Sequence, residues 1–312
     1  MPTRRSHTGR TGRRSRPKWR LGRFTLLLLA SAGAAFSIWM VWGGLRAPAL
    51  LEKWPPAGPG FEPWRTLEPG VEYCRIRRTA PREIRGHVLR FDLGSHDLEM
   101  VMPFGQPSSQ GGTRAEWPLT WLRRDGLIAV VNATPFLPEP ILPGGSVRLQ
   151  GLAVSEGHQW SPPVSNLDSV VLTSSGRIEF TSAGQDPAGI RCGAGGFLII
   201  RRNGENTLER TEIDAVTVVG ASADRRWLYW MAVDGKQPGY SEGLSAHEAS
   251  NLIGELGVTD AIRMDGGAST TIAVAGGWIG GRVLNRPRNW LYPGLPRPVG
   301  NVLGIRRRAT SR

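Results

Sequence analysis

The sequence AIRMDGGASTT, residues 261–271, is the stretch around which we expect this 312-residue chain to be organised. A short apolar run ends at Asp265, two glycines follow, and Ser269, Thr270 and Thr271 complete a polar loop. An Asp-Gly pair is typical of an ordinary turn between two strands. A glycine-rich loop at a strand end also brings backbone N–H groups close to an anionic ligand, while the aspartate presents a carboxylate. The residues around the loop must decide between the two.

The residues before the loop predict a helix followed by a strand. Ser245 and Glu248 have the spacing of a capping box, and Gly257 is well placed to end the helix. Five apolar residues form one stripe between these ends: Ala246, Ala249, Leu252, Ile253 and Leu256. The loop therefore follows a strand, 261–264, at its carboxyl end, where α/β proteins usually bind ligands. This context favours a binding site over a plain turn.

Short strands dominate the pattern from Val71 onward. We predict strands at 87–93, 97–102, 127–131, 170–173, 177–180, 197–200, 215–220, 227–233, 261–264, 271–275, 278–279 and 301–305. Turn residues predict hairpins at 94–95, 174–176 and 276–277. The sequence therefore predicts an α+β fold, with mixed sheets of short strands and a few helices in a single globular domain.

The net charge of +13 resides in the two ends of the chain. Nine basic residues and no acidic ones lie in Met1–Arg23, and four arginines follow Ile305, so the region between has no net charge. A groove for nucleic acid is not indicated, and we expect no nucleic-acid partner. A composition of 40% hydrophobic residues with 12 tryptophans is sufficient for a sizeable core.

Phe24–Trp42 is an uncharged apolar segment of 19 residues, long enough to span a bilayer. The basic block before it predicts a cytoplasmic N-terminus and an extracytoplasmic C-terminal domain. The alternative is a secreted protein, since Ala47-Pro48-Ala49 loosely resembles a signal-peptide cleavage site, but the segment exceeds a usual signal h-region. The predicted organisation is a basic cytoplasmic arm (1–23), a transmembrane anchor (24–42), a Pro-rich linker (43–70), the globular domain (71–305) and a basic tail (306–312).

The chain has two cysteines, Cys74 and Cys192, both on the predicted exported side. In an oxidising compartment they could form a disulfide across a long loop, worth about 4–5 kcal/mol. The alternative is two separately buried thiols. Neither the cysteines nor the scattered histidines have the spacing of a metal site, and P-loop and nucleophile-elbow motifs are missing. We therefore expect no metal and no cofactor.

Four segments of the C-terminal half carry the motifs of a known family in the same order and spacing. They are Val233–Gly235, Gly243–Gly257, Met264–Ser269 and Arg297–Val302. These segments resemble the phosphodiester glycosidase family, which includes the enzyme that uncovers mannose 6-phosphate by removing N-acetylglucosamine, and many bacterial exopolysaccharide-associated proteins. Weaker similarities precede them at 131–136 and 216–220. The chain is identified as a divergent member, because Val216 and Ala268 stand where the family has arginine and glycine.

The resemblance implies hydrolysis of sugar 1-phosphodiesters, with Asp265 as the carboxylate near the anomeric carbon. Asp234 is the candidate for a second carboxylate, although its Asp-Gly context equally fits a turn. Backbone amides of the loop would receive phosphate or sugar oxygens, and an arginine would supply positive charge for the phosphate. The candidate substrate-binding residues are Asn132, Thr217, Gly266, Gly267, Ser269 and Arg297.

Two functional hypotheses follow. The first is a membrane-anchored, extracytoplasmic hydrolase that acts on sugar 1-phosphodiesters or related cell-envelope and exopolysaccharide glycans. The second is a non-catalytic carbohydrate-binding or exopolysaccharide-assembly protein on the same fold, which the missing arginine at Val216 favours. Both imply a carbohydrate partner.

Overall fold

The computed structural model of the chain describes residues 60–94, 97–103, 105–108, 112–277, 280–289 and 292–308. The predicted basic arm, the predicted transmembrane anchor and most of the predicted linker lie outside this range. Within it, no helix combines the length and the apolar character that a membrane span requires.

The described residues form two short helices and many short strands. The helices are α1 (Pro118–Arg124) and α2 (Ala246–Gly254). The strands are β1 (Gly60–Phe61), β2 (Arg65–Glu68), β3 (Val71–Arg78), β4 (Ile84–Asp92), β5 (Leu98–Val101), β6 (Thr113–Arg114), β7 (Ala129–Asn132), β8 (Phe136–Leu137), β9 (Ser146–Leu149), β10 (Ala153–Ser155), β11 (His158–Ser161), β12 (Ser169–Thr173), β13 (Ile178–Thr181), β14 (Ile190–Gly195), β15 (Leu198–Arg202), β16 (Glu205–Asn206), β17 (Val216–Ala221), β18 (Trp227–Val233), β19 (Asp260–Arg263), β20 (Ile272–Val274), β21 (Arg282–Val283) and β22 (Val302–Arg307).

The strands form four sheets. Sheet I has nine strands in the order β1-β3-β4-β18-β17-β19-β15-β16, with β2 also paired to β3. Sheet II is β11-β10-β14-β12-β13, sheet III is β21-β20-β7-β22-β5, and sheet IV is β6-β9-β8. The α+β class and the single globular domain are confirmed. The expectation of mixed sheets is wrong, because the strand pairs between described residues are all antiparallel.

Both faces of sheet I are buried, and β18 shows why. Its side chains alternate, so Leu228 and Trp230 face one apolar cluster while Tyr229 and Met231 face another. The first cluster is shared with sheets II and III, and the second is covered by α2. Helix α1 packs its Trp121 into a third cluster with residues of sheet III. Sheet I is therefore the central layer of the domain.

The predicted helix before the central loop is confirmed together with its cap. The Ser245 Oγ accepts a hydrogen bond from the Glu248 amide at 3.2 Å, and the Glu248 carboxylate accepts one from the Ser245 amide at 2.8 Å. Gly257 follows the helix with a φ of 84°, a conformation that favours glycine. The chain then enters β19, which lies between β17 and β15 inside sheet I. The loop is thus delivered by an interior strand.

The structure corrects several boundaries. Strand β4 pairs with β3 and β18, whereas β5 pairs with β22, so the predicted hairpin at 94–95 is wrong. The turn residues there connect two different sheets. Strands β1 and β2 lie in the predicted linker and pair with β3, so the folded domain begins by Gly60. The hairpin after β20 is present, but its return strand begins at Arg282, and residues 278–279 lie outside the described range.

The predicted disulfide is wrong, since Cys74 and Cys192 are both free and buried. Cys74 belongs to the apolar cluster beneath α2, and its thiol donates to the Glu62 carbonyl at 2.9 Å. Cys192 belongs to the cluster on the other face of sheet I, and its thiol donates to the Met100 carbonyl at 3.2 Å. Burial raises the pKa of each thiol to about 12. The two cysteines are separated by the central sheet.

Candidate functional site

The loop 265–271 lies where sheets I and III meet. The Met264 amide donates to the Thr217 carbonyl of sheet I at 2.9 Å. The next amide, of Asp265, donates at 3.0 Å to the carbonyl of Ala133, which directly follows β7 of sheet III. Gly267–Ser269 then forms one turn of 3₁₀ helix before β20 begins. Both sheets therefore anchor the backbone that carries Asp265.

Asn132 fastens both ends of this loop. Its Nδ2 donates to the Asp265 carbonyl at 2.7 Å, and its Oδ1 accepts from the Thr271 amide at 3.0 Å. The Thr217 hydroxyl donates to the same Oδ1 at 2.8 Å. Asn132 and Thr217 have no exposed surface. The sequence predicts that these two residues bind substrate, whereas in the structure their buried side chains hold the loop in place.

The two glycines permit a close approach to Ala215, the residue directly before β17. A Cβ on Gly266 would lie 2.8 Å from the Ala215 carbonyl oxygen, which is closer than real side chains come. Gly267 has a φ of 59°, and its amide donates to the same oxygen at 2.9 Å. The Gly266 amide donates to the Asp265 Oδ1 at 3.0 Å. Both amides are thus engaged within the protein, contrary to their expected role as ligand donors.

Asp265 is a buried carboxyl at the start of the loop, with 9% of its surface exposed. Its Oδ2 has no hydrogen-bond partner among the described residues. Burial raises the pKa of Asp265 from 3.8 to about 6, because it penalises the charged form. The Ser269 hydroxyl, the Arg297 guanidinium and the Gly266 amide oppose this shift, while the Glu139 carboxylate adds to it. A carboxyl with this pKa can exchange protons near neutral pH.

Arg297 reaches the loop from the segment before β22. Its Nε donates to the Ser269 hydroxyl at 2.9 Å, and its Nη2 lies 3.7 Å from the Asp265 Oδ2. Its Nη1 forms an ion pair at 2.6 Å with the carboxylate of Glu139, which lies beyond β8 and is 66% exposed. The guanidinium also lies over the Phe136 ring. Arg297 therefore lies next to both Ser269 and Asp265.

Asp234 is a buried residue that is linked to the loop through Asn285. Its carboxylate accepts from the Asn285 Nδ2 at 2.9 Å, from the Arg286 amide at 2.9 Å and from the Tyr240 hydroxyl at 3.3 Å. Asn285 also donates to the Thr270 carbonyl at 2.9 Å. Burial raises the pKa of Asp234 to about 7. The predicted second carboxylate thus supports the loop through Asn285.

Two further residues contact this region without any signal in the sequence: Glu139 pairs with Arg297, and Asn285 donates to the Thr270 carbonyl. Each contacts partners far away in the chain, and neither belongs to a local motif that could have indicated it. In the described part of the chain, no three His, Cys, Asp or Glu side chains are grouped so that they could hold a metal ion.

A separate cleft, with a volume of about 270 Å³, lies away from the loop and is lined by residues of β5, β14 and β22. Its arginines, Arg191 and Arg306, are both paired with Glu99. Arg306 also lies 3.7 Å from the Glu156 carboxylate, so two carboxylates compensate the two arginines, and we place the candidate site at Asp265.

Solved structures of other proteins share the fold. A zebrafish N-acetylglucosamine-1-phosphodiester alpha-N-acetylglucosaminidase catalytic domain, auto-inhibited by its pro-peptide, has 18% identity and a TM-score of 0.59, over 78% of this chain and 86% of that one. A hypothetical protein from Synechocystis has 14% identity and a TM-score of 0.57, over 81% and 64%. A putative exported protein from Burkholderia pseudomallei has 12% identity and a TM-score of 0.50, over 72% and 74%. At these identities the likeness concerns the fold.

Sequence comparison supplies the family. No curated protein matches the chain significantly. The model of the phosphodiester glycosidase family matches residues 125–306, which is more than half of the chain. The matched region includes Asn132, the whole loop 265–271 and Arg297. This chain belongs to the phosphodiester glycosidase family.

Proposed function

We propose that the protein hydrolyses sugar 1-phosphodiesters at the site around Asp265. The observation that carries the proposal is the convergence of Asp265, Ser269 and Arg297 on one loop, with a carboxyl whose pKa lies near 6. The zebrafish structure with the same fold is described as acting on an N-acetylglucosamine 1-phosphodiester, which suggests the first substrate to test.

In this proposal Arg297 binds the phosphate and Asp265 acts as general base. A water oxygen attacks the anomeric carbon, and the water proton passes to the Asp265 carboxylate. The bond between the anomeric carbon and the phosphate oxygen breaks, and its electron pair leaves with the phosphate monoester. Such a leaving group needs little protonation, so one carboxylate suffices where ordinary glycosidases use two. This is consistent with the Asp234 carboxylate, whose two oxygens both accept hydrogen bonds from within the protein.

The proposal extends to location and substrate source. The uncharged apolar segment Phe24–Trp42 and the basic block before it support a membrane anchor with the enzymatic domain outside the cytoplasm. The Burkholderia protein of the same fold is described as a putative exported protein. In that compartment the accessible sugar phosphodiesters are those of the cell envelope or of exopolysaccharides.

A second candidate function is glycan binding without catalysis. It is favoured by the hydrogen bonds that Asn132, Thr217 and the two loop glycines form within the protein. These bonds leave fewer polar groups to bind a substrate. This protein would bind a glycan saturably and release no sugar.

The methyl phosphodiesters of N-acetylglucosamine 1-phosphate and glucose 1-phosphate separate the two functions. Free sugar is measured with the full chain, with Asp265→Asn and with Asp186→Asn, which changes an exposed aspartate elsewhere. We expect the wild type and Asp186→Asn to release sugar and Asp265→Asn to release none. Turnover by Asp265→Asn at the wild-type rate contradicts the assignment of the base. Saturable binding without release from any variant supports the second candidate.

A further inference from the structure

Arg263 is a charged residue beside the site that the proposed reaction does not yet use. It ends β19, two residues before Asp265, and its register partner on β17 is Val218. Arg263 is thus the last residue of the strand that leads into the loop, and Asp265 lies in the bend that follows. Both carboxylates that interact most strongly with Arg263, those of Asp214 and Asp265, lie at the loop.

The Arg263 guanidinium comes close to the first loop glycine. Its Nη2 lies 3.6 Å from the point that a Cβ on Gly266 would occupy. The guanidinium carbon also lies 5.7 Å from the centre of the Phe197 ring, which supports it from one side. Arg263 therefore approaches the loop at Gly266, whereas Arg297 approaches it at Ser269.

Within the described residues, Arg263 lacks a salt-bridge partner, and its buried Nε has no hydrogen-bond acceptor. The nearby Asp214 carboxylate is already taken, since it accepts from Lys236 at 2.9 Å and from the Ala215 amide at 2.8 Å. Burial lowers the pKa of Arg263, which indicates that its charge is only partly compensated. The half-buried Arg225, by contrast, pairs with Asp260 at 2.8 Å. A largely buried cation without a carboxylate is costly, and a bound anion would offset that cost.

We propose that Arg263 is a second anion-binding residue of this site, which binds a phosphate oxygen of the substrate from the Gly266 side while Arg297 binds from the Ser269 side. The identity of the ligand as a phosphodiester rests on the proposed function, but the anion site itself does not. Arginine suits this role because its planar guanidinium donates two parallel hydrogen bonds to a phosphate. A purely structural Arg263, held against Phe197, is the alternative.

Binding of inorganic phosphate and of methyl phosphate to the full chain tests the proposal by calorimetry. The variants are Arg263→Gln, Arg263→Lys and, as matched control on the same sheet, Arg202→Gln. Loss of one charge-assisted hydrogen bond corresponds to a factor of about 10 to 100 in affinity. We expect this loss for Arg263→Gln, a smaller one for Arg263→Lys, and no change for the control. A phosphate affinity of Arg263→Gln within twofold of the wild type overturns the proposal, as does a wild type that binds neither ion.

Folding and function are controlled separately. Thermal unfolding shows whether Arg263→Gln is folded. The phosphate affinity of Arg263→Lys shows whether the guanidinium itself binds the anion. If Arg263 had only a structural role, the phosphate affinity of folded variants would not depend on the residue at this position. If the wild type releases sugar and Arg263→Gln does so with unchanged KM, this inference fails while the proposed function stands. If phosphate binding depends on Arg263 but no sugar is released by the wild type, the proposed function fails while the anion site stands.

Discussion

Replacing Asp265 by asparagine should raise the stability of the protein while it abolishes hydrolysis. Burial raises the pKa of Asp265 from 3.8 to about 6, so the folded state binds a proton more tightly than the unfolded chain does. The contribution of this group to stability is complete below pH 4 and is lost as the pH rises through 6. At pH 7 the ionised carboxylate therefore destabilises the folded protein. Asparagine keeps the shape of the side chain and removes the charge.

The raised pKa sets the size of the effect. A tenfold change in proton affinity corresponds to about 1.4 kcal/mol, so the shift corresponds to at most about 3 kcal/mol at pH 7. For a domain of this size, 1 kcal/mol changes Tm by roughly 2–4 °C, which gives an upper bound of roughly 6–12 °C. The favourable interaction with Arg297 is already contained in the net pKa. Asp265→Asn should therefore unfold several degrees above the wild type at pH 7.

Thermal unfolding between pH 4 and pH 7.5 measures this difference, with Asp186→Asn as the control for an exposed aspartate. We expect the Tm gap between Asp265→Asn and the wild type to be small at pH 4 and to widen up to pH 7. Asp186→Asn should follow the wild type throughout. A gap that does not depend on pH, or an Asp265→Asn protein less stable than the wild type at pH 7, refutes the argument from burial.

Three further outcomes are expected. Glu139→Gln should tighten the binding of inorganic phosphate by up to about fivefold in calorimetry. The reason is that the exposed ion pair between Glu139 and Arg297, worth about 0.2–1 kcal/mol, no longer competes with phosphate for Arg297. Weaker binding would mean that Glu139 orients the guanidinium. Thr217→Val should lower the free energy of unfolding by about 1–2 kcal/mol in urea, because it removes the buried hydrogen bond to Asn132, and an unchanged midpoint contradicts this. Both cysteines should react with a thiol reagent in denaturant without prior reduction, and neither should react in the native protein, where both are buried. Thiols that react only after a reducing agent is added would indicate a disulfide.

Local features of the fold were predictable because residues close in sequence determine them. The cap of α2 depends on two residues three apart, and both of its hydrogen bonds are present. The hairpin of β12 and β13 likewise follows from its turn. Strand pairing across the domain was not predictable in this way. The turn residues at 94–95 are as typical of a hairpin as those at 174–176, yet β5 pairs with β22 from the other end of the chain.

The sequence by itself determined the residues of the candidate site: a carboxylate at a strand end, two glycines, a serine, and an arginine before the last strand. Only the tertiary structure decided which polar atoms remain open, because hydrogen-bond partners and burial come from residues distant in the chain. It assigned Asn132 and Asp234 to holding the loop. It also brought Arg263 beside the loop, on the face of sheet I that includes Val216. The position of the Arg263 charge depends on the register between β17 and β19, and no local sequence pattern encodes that register.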